Sequence, residues 1–192
     1  MFQISVAQLY EDNGEKLGLT PAAGALPSRA QITRDAEDQT ALVGYLNFIH
    51  PNRVQVIGRH ELDYLAGLEE PLSRRLIESL SQTRPAALVL CDGAEAPELL
   101  SRVASTTPIA LFSTALNGAR VIDVLRRYLS KHLADTTQRH GVCMDVLGLG
   151  VLITGGSGVG KSELGLELIS RGHGLVADDI VDIARLPPSV LE

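Results

Sequence analysis

The chain has 192 residues, 45% of them hydrophobic and 21% charged, with a formal net charge of −6 and a pI near 5.4. That composition fits a packed globular protein and excludes a disordered chain, and the acidic balance supplies no positive field for nucleic acid or an anionic membrane. No stretch approaches the roughly 20 apolar residues of a membrane span, and the N-terminus lacks a basic start before an apolar run, so a cytoplasmic protein is expected.

Residues 1 to about 130 alternate short apolar runs with amphipathic stretches, the pattern of an α/β layer structure. Val54 to Ile57 reads as a strand ended by Gly58. Glu61 to Leu68 and Leu72 to Gln82 read as helices, and Ala86 to Cys91 as a buried strand. Pro97 opens a helix running to about Ala104, and Pro108 opens a strand from Ile109 to Phe112. Asn117-Gly118 precedes a long helix, Val121 to Leu133, whose stripe of Val121, Val124, Leu125, Tyr128, Leu129 and Leu133 marks a buried face. His50, Asn52 and His60 are scattered polar residues with a structural reading. Cys91 and Cys143 both sit in apolar runs, where a thiol behaves as a small buried hydrophobe.

The polar segment 134–141 breaks the periodicity and reads as a linker between two units, 1–133 and 142–192. Beyond it come Val142 to Leu147, a Gly-rich turn at Gly148 to Gly150, and an apolar strand from Val151 to Thr154. That strand runs directly into Gly155-Gly156-Ser157-Gly158-Val159-Gly160-Lys161-Ser162, which matches G-x-x-x-x-G-K-[ST] at every fixed position. Of 17 basic residues only three are lysines, Lys16, Lys131 and Lys161, so a lysine inside this loop calls for a specific role.

Strand before and helix after are the context in which this pattern binds phosphate. Backbone N–H groups turn inward around the phosphates, the helix adds its positive end, Lys161 reaches the terminal phosphates and the Ser162 hydroxyl suits Mg²⁺. The helix from Ser162 to about Arg171 leads away, the turn at Gly172 and Gly174 reverses the chain, and Leu175 to Ala177 brings Asp178 and Asp179 back towards the loop. If the run stays extended, these two carboxylates point to opposite faces and divide two tasks, holding Mg²⁺ and accepting a proton from an attacking hydroxyl.

Arg139-His140-Gly141 before the loop, RGHGLVADD from Arg171 to Asp179 after it, and LNFIHPNRVQVIG from Leu46 to Gly58 together resemble the bacterial HPr kinase/phosphorylase family along the whole chain. The resemblance implies an N-terminal α/β domain followed by the beginning of a P-loop kinase domain of the phosphoenolpyruvate-carboxykinase-like kind. It implies phosphorylation of a serine of the HPr carrier protein by ATP or pyrophosphate with Mg²⁺, the reverse phosphorolysis, a role in regulating carbon metabolism, and a homohexamer. On matching positions it assigns His140 and Lys161 to the active site, Ser162 to Mg²⁺, Asp179 as base forward and acid in reverse, and Asp178 to the neighbourhood of the metal. Family members are longer, so 142–192 is expected to be an incomplete kinase domain, without a further acidic metal ligand and an arginine of the dephosphorylation side. Two other readings fit the loop alone: a generic P-loop small-molecule kinase or NTPase, and a nucleotide-sensing assembly module without transferase activity.

Overall fold

The computed structural model describes residues 2–23, 30–34, 41–48, 52–186 and 190–192; His50 lies outside them. Backbone contacts divide the chain into two units, Met1–Leu133 and Ala134–Glu192.

In the first unit, β1 (Phe2–Ser5) leads into α1 (Val6–Leu17), followed by β2 (Thr20–Ala23), β3 (Gln31–Arg34), β4 (Val43–Tyr45) and β5 (Val54–Ile57). Then come α2 (Arg59–Ala66), α3 (Glu70–Thr83), β6 (Ala87–Leu90), α4 (Glu98–Thr106), β7 (Ala110–Ser113) and α5 (Gly118–His132). Among the described residues, the main sheet has the order β2-β7-β6-β5-β4, with β4 to β7 parallel and β2 antiparallel at one edge. Every residue of β5 and β6 is buried, as expected for parallel strands covered on both faces.

The period of two splits these strands between two cores. Val54, Val56, Ala87, Val89, Ala110 and Phe112 pack with α1 and α5. Ile57, Leu88, Leu90 and Leu111 pack with α2, α3 and α4. Each fully buried large aliphatic or aromatic side chain contributes about 1.5–3 kcal/mol, so both layers are strongly held. Gln55, wholly buried, is satisfied by its neighbours: its Nε2 donates to the Asn47 carbonyl and its Oε1 accepts the Asn47 N–H. Asn52 is buried too and donates to the Tyr45 carbonyl, a structural role, whereas His60 is exposed.

In the second unit, β8 (Asp135–His140), β9 (Val142–Val146), β10 (Leu149–Ile153), α6 (Lys161–Ser170), β11 (Gly174–Ala177), β12 (Ile180–Leu186) and β13 (Val190–Leu191) form, among the described residues, two antiparallel sheets, β10-β9-β11 and β13-β12-β8. The helix α6 lies against β9, where its Gly165 faces Val142.

Three sequence expectations need correction. The segment expected as a linker at 134–141 is strand β8, paired residue by residue with β12 from Asp135↔Arg185 to His140↔Ile180. All six of its side chains are exposed, so no apolar alternation announces it. The turn after β9 falls on Leu147-Gly148, with φ of +55° and +82°, and not on 148–150; Gly150 pairs with Asp145 inside the hairpin. Two consecutive positive φ angles match the right-handed twist of the strands, and the Asp145 carboxylate accepts the Gly148 N–H at 2.8 Å. Cys91 is buried, but Cys143 is only half-buried, because alternation along β9 sends Val142 and Met144 inward and Cys143 to the other side.

Candidate active site

The phosphate-type loop runs from the end of β10 into α6. Gly158 and Gly160 take φ of +78° and +90°, and Gly160 is the N-cap of α6, a left-handed position that a residue with a Cβ would occupy at a cost. Lys161 folds over the loop, its Nζ donating to the carbonyls of Gly155 at 3.0 Å and Gly156 at 2.8 Å. The ammonium and the N-terminus of α6 therefore supply positive potential in one place.

Two further elements reach the same cleft, of about 660 Å³. From β8 comes His140, followed by Gly141; from the turn between β11 and β12 come Asp178 and Asp179. The joint is tight. A side chain at Gly141 would place its Cβ 2.5 Å from the Ile153 carbonyl, so only glycine permits the close approach of this segment to the end of β10. The Gly141 N–H donates to the Asp179 carbonyl at 3.1 Å, which ties the end of β8 to the aspartate turn.

Asp179 is not extended. It has φ +74°, and the Ile180 N–H donates back to the Asp178 carbonyl at 3.1 Å, closing a three-residue turn with Asp179 at its apex. A positive φ at the centre of such a γ-turn is the rare, strained variety, and backbone strain of this kind costs about 1–3 kcal/mol. The alternation expected for an extended pair thus fails: both carboxylates border the cleft. Asp179 Oδ1 lies 3.9 Å from His140 Nδ1, an ion-pair distance when the imidazole is protonated, with both side chains more than four-fifths exposed.

The structure therefore brings His140, Gly155, Ser157, Gly158, Gly160, Lys161, Ser162, Asp178 and Asp179 around one cleft. Gly156 contributes its carbonyl to Lys161 but does not line the cleft, and Val159 turns outward, 66% exposed. Sequence reasoning missed Gly141 and Glu163, which also line it. The first stood in the RHG motif and the second in the first turn of α6, directly after the loop serine.

The Ser162 hydroxyl and the Asp178 and Asp179 carboxylates are hard oxygen donors of the kind Mg²⁺ takes. Among the described residues no group of three or more His, Cys, Asp or Glu side chains forms a metal cage. This donor set fits an ion that keeps several waters and is held largely through phosphate oxygens.

Known proteins match the chain closely. Residues 4–129 match the family model described as HPr Serine kinase N terminus, and residues 131–192 the one described as HPr Serine kinase C-terminal domain. The HPr kinase/phosphorylase of Azoarcus sp. (strain BH72) is 49% identical over 192 residues, covering 100% of this chain and 61% of that protein. The HPr kinase/phosphorylase of Aromatoleum aromaticum is 48% identical over 193 residues with the same coverage of 100% and 61%, and that of Leptothrix cholodnii is 53% identical over 165 residues, covering 83% and 51%. The chain thus spans at most 61% of the length of these relatives.

Proposed function

The chain belongs to the HPr serine kinase family, and from that premise we propose that the protein transfers a phosphoryl group from ATP or pyrophosphate to a serine of the HPr phosphocarrier protein. The same site runs the reverse phosphorolysis, in which inorganic phosphate takes the group from the serine and leaves as pyrophosphate. The protein acts in the cytoplasm, in the regulation of carbon metabolism, as a homohexamer. Its N-terminal domain comprises 1–133, and β8 opens the kinase domain.

The loop from Gly155 to Ser162 holds the donor phosphates through backbone N–H groups and the Lys161 ammonium. Ser162 and Asp178 would hold Mg²⁺ on the protein side, and the ion would supply neutralisation of phosphate charge. Asp179 accepts the proton of the attacking serine hydroxyl in the forward direction and returns it in reverse. His140, beside it, places positive charge next to the transferred group when protonated.

The observation that carries this reading is the meeting of His140 and Asp179, 3.9 Å apart, at the mouth of the cleft that Lys161 and Ser162 line. A loop that only binds a nucleotide has no use for a base beside it, whereas phosphoryl transfer to a hydroxyl does. The test is to incubate the full-length protein with ATP, Mg²⁺ and HPr and to follow phosphoserine on HPr by mass spectrometry. Phosphoserine on HPr is expected; a loop that hydrolyses or binds ATP and leaves HPr unmodified would refute the proposal.

A further inference from the structure

The aspartate pair is built asymmetrically. Asp179 sits at the strained apex with φ +74°, and its own N–H donates to Oδ1 of the preceding Asp178 at 3.0 Å. Its carbonyl accepts from Gly141, and the next N–H, that of Ile180, closes the turn onto the Asp178 carbonyl. Every backbone polar group that defines the apex is therefore engaged. The partner of the apex N–H is the one side chain among them.

Remove that acceptor and the apex N–H loses its only protein partner in the turn. The backbone can then relax towards negative φ, where an L-residue is unstrained. Relaxation would turn the Asp179 side chain relative to His140, because His140 is held in the β8–β12 ladder while residue 179 stands outside it.

We propose that Asp178 is a positioning residue: through Oδ1 it locks the positive-φ turn that aims the Asp179 carboxylate at the reacting hydroxyl. This rests on the phosphotransfer reading above and deepens it. Oδ2 takes no part in that bond and can serve the metal, so the two roles of Asp178 need not compete for one atom. An asparagine keeps the Oδ1 acceptor and loses the charge, whereas an alanine loses both.

The full-length protein is compared as wild type, Asp178→Asn and Asp178→Ala, at saturating nucleotide and over a Mg²⁺ titration up to saturation. Misplacement of a reacting group by an ångström costs on the order of 100-fold. The expected kcat for HPr phosphorylation is about 100-fold lower in Asp178→Ala at every Mg²⁺ concentration, with little change in nucleotide affinity, whereas Asp178→Asn is impaired at low Mg²⁺, through the charge lost at the metal, and falls by less than Asp178→Ala at high Mg²⁺. Crystal structures of the two variants supply a readout independent of turnover: φ of residue 179 stays positive in Asp178→Asn and turns negative in Asp178→Ala. Equal losses of kcat in both variants at saturating Mg²⁺, or a positive φ retained in Asp178→Ala, would overturn the proposal. Absence of HPr phosphorylation by the wild type would instead sink the phosphotransfer reading, and the crystallographic comparison would still decide the turn.

Discussion

At the scale of single residues, Lys161 is poised and Gly141 is forced. The ammonium lies over two loop carbonyls at 2.8 and 3.0 Å, acceptors that it exchanges for phosphate oxygens under the proposed function. Lys161→Ala removes the one cation of the loop itself, and turnover with ATP should fall by about 100-fold or more, the order found when a single charge-stabilising donor is lost. A coupled assay of ATP-dependent HPr phosphorylation checks it. The loop, Lys161 and Ser162 were legible from spacing alone, because the pattern specifies residue types at fixed positions. His140 was not: in a polar segment nothing but the resemblance singled it out, and the structure supplies a reason, the steric demand of its neighbour Gly141 against the Ile153 carbonyl. The unusual backbone of Asp179 was invisible too, since Asp-Asp after a strand reads equally as strand or turn.

Among elements, the parallel strands were readable because burial on both faces leaves uninterrupted apolar runs, as in β5 and β6. Strand β8 was misread for the opposite reason, being exposed throughout. Helix α1 went unread although its caps are present: the Ser5 hydroxyl accepts the Gln8 N–H, and Gly18 takes the left-handed cap at φ +56°. A tie between α1 and α5 makes a pH prediction. The Tyr128 hydroxyl donates to Asp12 Oδ2 at 2.5 Å, and Gln8 donates to the other oxygen. Burial first, and then this carboxylate, push the Tyr128 hydroxyl above its ordinary range, while the Tyr128 bond chiefly, with that of Gln8, holds Asp12 below the usual carboxylate value.

The raised Tyr128 group stabilises the fold fully below the ordinary tyrosine value of about 10 and loses that contribution as pH rises beyond it. The depressed Asp12 stabilises above about pH 4 and loses its contribution as pH falls further. Tyr128→Phe should therefore lower thermal stability on the plateau between, with a smaller difference from wild type at alkaline pH. Melting temperatures of the two proteins at neutral pH and above pH 10 check this; because Asp12 is exposed, salt should shrink the effect.

For the molecule as a whole, the two units are built unequally. The first buries both faces of its sheet in two cores. The second buries Ala134, Val142, Met144 and Val181 among its described hydrophobic residues, while Leu147, Leu149, Leu166 and Val176 are each at least 65% exposed. Its cleft is nevertheless assembled by backbone constraints, namely the β8–β12 ladder, the Gly141–Asp179 bond and the loop entering α6. The relatives it matches are longer than this chain, so activity is a property to be measured on the full-length protein. The central claim is that this cleft moves a phosphoryl group onto a protein serine with Asp179 handling the proton. The most direct measurement sets ATP affinity beside phosphoserine formation on HPr for full-length wild type and Asp179→Asn. The account predicts unchanged ATP binding and a loss of phosphoserine formation of about 100-fold or more in the variant, the contribution of a positioned base. Wild-type turnover by Asp179→Asn would contradict it.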